Sequence, residues 1–320
     1  MSLRVAFQMD PLEGIGIAGD STFALMLGAQ ARGHQLFHYL AEDLTYQGGR
    51  IYSGAHPVTV QPVAGNHFKL GEFVILDLGR DVDVVWMRQD PPFDLGYITA
   101  THLLERVRSE TLVVNDPAGV RDAPEKVWVL DFAQFMPPTM ITRSIGAARQ
   151  FLAEHGPLVL KPLHGNAGKA VFKIEPDGVN LGPLLELFNA TYREPHMLQK
   201  FLPEVAQGDK RIVLVDGEVA GAINRRPAAG DIRSNLAAGG TAEATELTEG
   251  EREICAALAP ELKRRGLLFV GIDVIGGRWL TEINVTSPTG IVAIDKFNGS
   301  DTPGLIWDAI EARLAARQNG

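Results

Sequence analysis

The fold of this chain is decided by one stretch, which reads Asp273-Val-Ile-Gly276-Gly277-Arg-Trp-Leu-Thr-Glu282-Ile-Asn284. Strand-like apolar runs flank the glycine pair, which predicts a β-hairpin that turns at Gly276-Gly277. Glu282 and Asn284 are separated by one residue, so they share one face of their strand. A turn of two or four residues places Asp273 on that face, whereas a three-residue turn without a bulge places it on the other face.

The hairpin is a candidate metal site. Two carboxylates that converge on a half-buried sheet repel each other unless a cation lies between them. Carboxylate and amide oxygens are hard donors, which Mg²⁺ accepts when substrate phosphates also bind it. The alternative is the polar face of an exposed hairpin, and the hairpin alone leaves both interpretations open.

The composition is that of an ordinary soluble globular protein, with 45% hydrophobic and 22% charged residues. A chain of 320 residues is long enough for roughly two or three compact lobes. The net charge of −9 argues against a nucleic-acid partner, because such a surface is normally basic, but it allows a local cationic pocket.

The single cysteine, Cys255, cannot form an internal disulfide, which favours a reducing compartment. A buried structural thiol is favoured there over a reactive one. The sequence contains no secretory h-region and no apolar run long enough to span a membrane. We therefore expect a cytoplasmic protein with no membrane partner.

Three regions follow one another along the chain. Strands and helices alternate from residue 1 to about residue 120, which predicts a parallel, doubly wound sheet. Polar clusters, 8–11 and 88–92, follow its first and fourth predicted strands, where such sheets bind ligands. In the second region, 121–200, a predicted helix over 124–132 would place Lys126 one turn inside it.

The third region, 201–320, contains strands, a helix, the hairpin and a C-terminal amphipathic helix. Within it, 221–246 lacks regular periodicity over much of its length. Long loops of this kind are typical of lids or binding loops, with functionless disorder as the alternative.

Several residues upstream of the hairpin are suited to binding phosphates. Lys161 ends an apolar strand, and the loop that follows, 163–170, carries two glycines that let backbone N–H groups approach an anion. The loop matches neither the Walker nor the Rossmann pattern, and an ordinary tight turn explains it equally well. Arg211 and Arg225 lie at strand ends, where cations suit phosphate or carboxylate.

The segment 199–203 reads as an extended connector whose backbone could pair with an adenine edge, or as a plain linker. Together with the lysines, the glycine loop and the hairpin, it completes the set of groups expected in a cleft that holds Mg-ATP for phosphoryl transfer. No Ser-His-Asp or Cys-His arrangement competes with this interpretation.

The order of these motifs resembles the bacterial glutathione synthetases, a family of the ATP-grasp superfamily. The resemblance covers nearly the whole chain and is carried by the segments 9–11, 20–24, 88–93, 114–117, 125–126, 160–163, 208–211, 233–235, 269–275 and 280–288. It implies an α/β fold in which a doubly wound parallel sheet, the pre-ATP-grasp domain of residues 1–120, precedes a two-lobed α+β ATP-grasp fold. Residues 121–200 would form the central lid lobe, and residues 201–320 the lobe with the Mg²⁺ site.

The same resemblance implies the reaction and its partners. ATP would phosphorylate the cysteinyl carboxylate of γ-glutamylcysteine, and the amine of glycine would attack the acyl phosphate to give glutathione, ADP and phosphate. The cofactor would be Mg²⁺, with Mn²⁺ as a possible substitute, and the assembly would be a homotetramer.

Carried over residue by residue, the resemblance implies four groups of site residues. ATP would contact Lys126, Lys161, Gly165, Asn166, Gly168, Gln199, Lys200, Phe201, Leu202 and Asp209. The metal ligands would be Asp273, Glu282 and Asn284, and the charge of the transferred phosphoryl group and acyl phosphate would be stabilised by the catalytic Arg211 and Arg225. The peptide and glycine would be bound by Ser21, Arg88, Arg233, Asn235, Gly239, Gly240 and Ser287.

One departure concerns the phosphate loop, which reads Gly165-Asn166-Ala167-Gly168-Lys169 where the family has Gly-Asn-Gly-Gly or Gly-Met-Gly-Gly. Alanine tolerates a positive φ poorly, so the turn is expected to differ. Lys169 could add a phosphate contact or face solvent. Two other functions stay open: an ATP-grasp ligase for a different acyl substrate, and a nucleotide-binding regulator without catalysis. The N-terminal motifs argue against the first, and the complete ligand set argues against the second.

Overall fold

The computed structural model describes residues 2–166 and 168–318, which fold around three β-sheets. Ala167 of the phosphate loop lies outside the described residues, so the expectation for its turn stays a prediction. None of the helices in the described ranges is both long and apolar enough to cross a membrane.

The first sheet is eight-stranded and mixed. Its strands are β1 (Arg4–Gln8), β2 (Gln35–Tyr39), β3 (Leu44–Gln47), β4 (Arg50–Val60), β5 (Phe68–Leu70), β6 (Val74–Asp77), β7 (Val84–Met87) and β8 (Leu112–Val114). The order is β3-β4-β2-β1-β7-β8, and β5 and β6 also pair with β4. Neighbours among β2, β1, β7 and β8 are parallel, which confirms the doubly wound sheet, whereas every pairing of β4 is antiparallel.

Burial explains this division of the first sheet. All four residues of β7 are buried, as expected for a central parallel strand that is covered on both faces. In β4, buried and accessible positions alternate over most of the strand, which is typical of antiparallel strands with one face toward solvent.

Three helices belong to this first part of the chain, namely α1 (Ser21–Ala31), α2 (Leu95–Glu105) and α3 (Pro117–Arg121). Each begins after an aspartate whose side chain accepts backbone N–H groups of its first turn, as N-cap residues do. Because β2 and β7 flank β1 on opposite sides, the strand order reverses between β1 and β7. The two predicted polar clusters meet at this reversal, where Asp90 N donates to Asp10 Oδ2 at 2.7 Å.

The second sheet is four-stranded and antiparallel, in the order β11-β10-β12-β9. Its strands are β9 (Thr139–Thr142), β10 (Leu158–Pro162), β11 (Phe172–Ile174) and β12 (His196–Lys200). Two helices, α4 (Ile145–His155) and α5 (Leu181–Thr191), pack apolar side chains such as Phe151 and Leu185 against one face of the sheet. The other face is left to border a cleft.

The predicted helix over 124–132 is wrong. Residues 125–127 form a turn, and a 3₁₀ helix follows over Trp128–Phe135, interrupted by non-helical backbone angles at Phe132. Lys126 therefore lies in the turn before that helix, and its buried side chain points into the cleft. Lys126 thus occupies a loop position, from which its side chain reaches Glu282.

The third sheet is five-stranded and antiparallel, in the order β15-β14-β13-β16-β17. Its strands are β13 (Asp209–Val215), β14 (Glu218–Arg226), β15 (Thr241–Ala244), β16 (Phe269–Ile275) and β17 (Trp279–Asn284). Helix α6 (Glu249–Arg264) covers the face of β13 that carries Lys210, whose Nζ lies 2.7 Å from Glu251 Oε2. The opposite face of β13 carries Asp209 and Arg211, because side chains alternate along a strand.

The last two helices, α7 (Ile291–Asn298) and α8 (Thr302–Gln318), connect the third sheet to the N-terminal part. Trp307 of α8 is fully buried and donates its indole N–H to Leu25 O in α1 at 2.9 Å. Asn115, just after β8, donates to Phe269 O and Val285 O at 2.7 and 2.8 Å. These buried contacts fix the edge of the first sheet against the third.

The opening hairpin has a geometry between the alternatives that the sequence left open. Its turn contains three residues, Gly276 to Arg278, because Ile275 pairs with Trp279. A bulge then inserts Thr281, so that Asp273 pairs directly with Glu282. The bulge returns the aspartate to the face that an unbulged three-residue turn would have denied it.

Candidate active site

A cleft with a cavity volume of about 340 Å³ lies between the second and third sheets. Most of the site residues expected from the sequence line it. They are Lys126, Lys161, Gly165, Asn166, Gly168, Gln199, Lys200, Phe201, Leu202, Asp209, Arg211, Arg225, Arg233, Asn235, Asp273, Glu282, Asn284 and Ser287.

The floor of the cleft is a buried network of two arginines and two aspartates on β13, β14 and β16. Arg211 Nε and Nη2 donate to Asp273 Oδ1 and Oδ2 at 2.5 and 3.0 Å. Arg225 Nη2 lies 2.9 Å from Asp273 Oδ1 and also pairs with Asp209. Strand register produces this network, since Asp273 pairs with Arg211 and Asp209 pairs with Arg225.

The carboxylates of this network have opposite pKa shifts. Burial opposes ionisation of Asp273, but the guanidinium groups of Arg211 and Arg225 hold its pKa well below the usual range. Burial raises the pKa of Asp209, and the nearby charge of Asp273 acts in the same direction, although Arg225 partly offsets both. Asp273 is therefore the fixed negative charge of the cleft.

Two lysines approach from the other side. Lys126 Nζ lies 2.5 Å from Glu282 Oε1 and donates to Gly165 O at 2.6 Å. Lys161 is buried at the end of β10, and desolvation lowers its pKa to about 8, although the negative charge of Glu282 acts in the opposite direction. Glu282, one of the candidate metal ligands, therefore interacts electrostatically with both of the lysines that are predicted to bind phosphate.

The donor chemistry of the hairpin fits a divalent cation. Asn284 Nδ2 donates to Gly271 O at 3.2 Å, which leaves the amide oxygen of Asn284 as the group free to ligate. Asp273 and Glu282 supply carboxylate oxygens, but protein cations now neutralise both. Within the described ranges, no cluster of three or more His, Cys, Asp or Glu suits a metal, so the site depends on this mixed set.

Two loops meet above the cleft. Gly168 has a φ of +72°, and a Cβ there would lie 3.1 Å from Asn235 Oδ1 and 3.3 Å from Arg233 Cδ. The phosphate loop therefore contacts the segment 227–240, which connects β14 to β15. Part of the stretch 221–246, for which no regular structure was expected, is in fact strand, because it contains the end of β14 and all of β15.

The adenine connector is only partly available for hydrogen bonds. Lys200 N and Phe201 N already donate to Pro138 O and Pro157 O at 2.9 and 2.8 Å. Within the described ranges, Leu202 N has no backbone acceptor. The expectation of a free connector backbone is therefore wrong for two of its N–H groups, which leaves the Leu202 N–H to face a base.

Four predicted substrate residues do not line the cleft. Arg88 is buried beside it and donates to Thr22 Oγ1 and Pro288 O. The Ser21 hydroxyl accepts Gly290 N at 3.1 Å, behind the cleft wall. Gly239 and Gly240 follow Ser234 in the 227–240 loop, where a Cβ on Gly240 would lie 2.2 Å from Ser234 O.

Other residues of the cleft wall were missed in the sequence. Ser234 donates its hydroxyl to Asp209 Oδ2 at 2.8 Å. Glu125 accepts the Thr286 hydroxyl at 2.7 Å, and burial followed by the charge of Glu282 raises its pKa to about 7. Both residues lie in segments that carry the family resemblance, 125–126 and 233–235, but the sequence analysis assigned neither of them a role.

Comparisons with known proteins agree with this architecture. The chain matches the family models for the prokaryotic glutathione synthetase N-terminal domain over residues 3–121 and ATP-grasp domain over residues 125–299. It is 56% identical over 315 residues to a glutathione synthetase of Rhodopseudomonas palustris, covering 98% of this chain and 100% of that protein. A glutathione synthetase of Bradyrhizobium diazoefficiens is 55% identical over 315 residues, with coverage of 98% and 100%.

Among solved structures, D-cycloserine synthetase DcsG has a TM-score of 0.69 at 19% identity, covering 97% of this chain and 99% of that one. D-alanyl-alanine synthetase A of Vibrio cholerae has a TM-score of 0.61 at 14% identity, covering 98% and 99%. At these identities the likeness shows the fold alone.

Two sheets that enclose a cationic cleft, joined to a doubly wound domain, define an ATP-grasp ligase. The chain belongs to the prokaryotic glutathione synthetase family. It catalyses the ATP-dependent ligation of γ-glutamylcysteine to glycine through an acyl phosphate, which gives glutathione, ADP and phosphate. The reaction uses ATP with a divalent metal ion, and the function predicted from the sequence is confirmed.

Proposed function

We propose that substrate binding exchanges the ion pairs of the cleft. The observation that carries this proposal is the pairing of every metal-ligand carboxylate with a cation suited to phosphate. Arg211 and Arg225 hold Asp273, and Lys126 holds Glu282. When the phosphates of ATP enter, these cations turn to the phosphate oxygens, and the carboxylates become available to a metal ion.

The proposed roles follow from the positions of the side chains. Lys126, Lys161 and the phosphate loop hold the phosphates, while 199–202 holds the base. Asp273, Glu282 and Asn284 would hold Mg²⁺, which neutralises phosphate charge when bound. Arg211 and Arg225, buried on the floor, offset the charge of the phosphoryl group in transfer and of the acyl phosphate.

The remaining substrate residues are proposed to act from the loops. Arg233, Asn235, Gly239, Gly240 and Ser287 would bind the peptide or glycine, with the 121–200 lobe and the 227–240 loop closing over the intermediate. Closure would exclude water, which otherwise hydrolyses an acyl phosphate. The close approach of Gly168 to Arg233 and Asn235 supports joint movement of the phosphate loop and the 227–240 loop.

A phosphate-release assay tests this assignment. Release with Mg-ATP and γ-glutamylcysteine should require glycine for steady turnover, because the acyl phosphate otherwise stays enclosed. Release that ignores glycine would contradict the closed-cleft proposal. The homotetramer, the use of Mn²⁺ and the cytoplasmic location stay predictions, which light scattering, metal substitution and cell fractionation can test.

Lys161 gives a testable proton signature. Because desolvation lowers its pKa to about 8 and bound phosphates should raise it again, nucleotide binding should take up a proton. We expect uptake of about 0.7 proton at about pH 8.5 and about 0.1 at about pH 7. Calorimetry in buffers of different ionisation enthalpy measures it, and Lys161→Met should abolish the difference. Equal uptake at both pH values would contradict the assignment.

Lys169 is a cleft residue that the family pattern does not anticipate. It lines the cleft, is exposed, and has no carboxylate partner within the described ranges. We expect Lys169→Met to raise the KM for ATP about two- to fivefold at low salt with little change in kcat, as for an exposed charge contact. The matched control is Lys296→Met on α7, away from the cleft. An unchanged KM would mean that Lys169 only faces solvent.

A further inference from the structure

Two opposite charges lack ionic partners where β7 ends beside the cleft. Arg88 is 3% exposed, and its Nε and Nη2 donate only to neutral oxygens, those of Thr22 and Pro288, at 2.9 and 3.0 Å. Its Nη1 is buried and, within the described ranges, has no hydrogen-bond partner. A buried guanidinium with an unused donor is costly unless a ligand completes it.

Asp90 lies two positions after Arg88 and lines the cleft. Its backbone N–H is fixed by Asp10 Oδ2 at 2.7 Å, and the Ser287 hydroxyl of the cleft wall donates to Arg88 O at 3.4 Å. Within the described ranges, no cationic nitrogen lies within 4.0 Å of the Asp90 carboxylate. Lys126, Arg211 and Arg225 are instead paired with carboxylates of the third sheet. Asp90 is exposed, so its negative charge is free to meet a ligand that enters the cleft.

The short sequence separation between Asn284 and Ser287 limits the distance from Arg88 and Asp90 to the metal end of the cleft. Ser287, whose hydroxyl donates to Arg88 O, follows Asn284 by three residues in sequence, a span of at most about 10 Å. Extended γ-glutamylcysteine places its glutamyl α-carbon roughly 7 Å from the cysteinyl carboxyl carbon. A substrate whose cysteinyl carboxylate lies beside the transferred phosphate can therefore reach Asp90 with its glutamyl head.

We propose that Asp90 binds the ammonium group of the glutamyl head of γ-glutamylcysteine and so selects acyl substrates that carry a free α-amino acid at that end. The positive charge of Arg88 complements the carboxylate of the same head. The proposal rests on the ligase function and adds a determinant of specificity at the carboxyl ends of the parallel strands, where doubly wound sheets bind ligands. Substrates without the ammonium group leave the Asp90 carboxylate unpaired.

The experiment compares substrates as well as variants. Glutarylcysteine has the length and carboxylate of γ-glutamylcysteine but lacks the ammonium group, and 4-aminobutanoylcysteine lacks only the glutamyl carboxylate. For the parent enzyme, we expect kcat/KM with glutarylcysteine to be about 10- to 100-fold lower than with γ-glutamylcysteine, as for loss of a charged hydrogen bond. Asp90→Asn should lose the same factor with γ-glutamylcysteine, and it should use glutarylcysteine as well as the parent does.

The matched control is Asp10→Asn, which removes a neighbouring charge outside the cleft wall while its amide oxygen can still accept Asp90 N. This variant should still discriminate against glutarylcysteine, and Asp90→Asn should still discriminate against 4-aminobutanoylcysteine. Equal losses with all substrates in Asp90→Asn would show that Asp90 only positions the loop, which overturns the proposal.

The parent enzyme alone is decisive if Asp90→Asn does not fold, as judged by the rise in Tm with Mg-ATP. Use of glutarylcysteine within about twofold of γ-glutamylcysteine would overturn the ammonium site. Failure of the parent to make glutathione from γ-glutamylcysteine is a separate result. It would contradict the ligase function and would not bear on the comparison between γ-glutamylcysteine and its analogues.

Discussion

Replacing Glu282 by glutamine should lower kcat by about 10²- to 10³-fold or more and leave the fold intact. Glu282 is a proposed metal ligand that also contacts a phosphate-binding lysine. It lies opposite Asp273 in the hairpin, and its carboxylate forms an ion pair with Lys126 across the cleft. Glutamine keeps the shape and a hydrogen-bond acceptor for Lys126 but removes the charge. The chemical step therefore loses a proposed metal ligand.

The cost to stability should be small by comparison. Lys126 keeps its hydrogen bond to Gly165 O and the nearby charge of Glu125, so the free energy of unfolding should fall by about 1 to 2 kcal/mol. Single-turnover phosphate release measures the first effect and urea unfolding measures the second.

Glu243→Gln on β15 is the matched control for this substitution. It makes the same chemical change in the same sheet, but in an exposed ion pair with Arg226. We expect it to change kcat less than twofold and stability by less than about 0.5 kcal/mol. Normal turnover of Glu282→Gln would show that Glu282 is not a metal ligand.

Much of this site could be read from the sequence because its residues lie in regular strands. Alternation along β13 predicts that Asp209 and Arg211 share a face, and strand pairing then brings Arg225 and Asp273 beside them. The hairpin shows what sequence spacing alone cannot determine. Sequence spacing gave the alternatives for Asp273, but the bulge at Thr281 depends on packing in three dimensions, and only the register reveals it.

The failures have physical causes of the same kind. The predicted helix over 124–132 includes Lys126, whereas residues 125–127 form a turn from which this lysine reaches Glu282. The two occupied N–H groups of the connector follow from contacts with Pro138 and Pro157, which are distant in sequence. Local patterns carry no information about such partners.

Asp273→Asn should both abolish ligation and destabilise the protein, by about 3 kcal/mol. The carboxylate is buried between Arg211 and Arg225, so its neutralisation leaves two buried guanidinium groups with Asp209 as their only remaining carboxylate in this network. Breaking a buried pair by removing one partner is costly because the other charge stays desolvated. Activity and stability should therefore fall together here, unlike in Glu282→Gln.

The free energy of unfolding of the parent exceeds that of Asp273→Asn by an amount whose pH dependence shows whether Asp273 is ionised in the network. The pKa of Asp273 is held below its ordinary value of 3.8 because Arg211 and Arg225 outweigh burial. A depressed pKa in the folded state contributes stability that is fully present above the unfolded value and is lost as the pH falls through the folded one. The parent should thus exceed Asp273→Asn by an undiminished free energy from about pH 8 to about pH 5, and the gap should close only below about pH 4.

Urea unfolding at several pH values measures that gap, with Glu243→Gln again as the control, whose difference from the parent should stay below about 0.5 kcal/mol throughout. Inorganic triphosphate without metal supplies an independent signature. It should raise the Tm of Asp273→Asn more than that of the parent, because its anionic oxygens can pair with the guanidinium groups that the substitution exposes. If the difference in unfolding free energy narrowed between about pH 8 and about pH 5, the arginines would not hold Asp273 ionised. That result would contradict the ion-pair exchange proposed for the cleft.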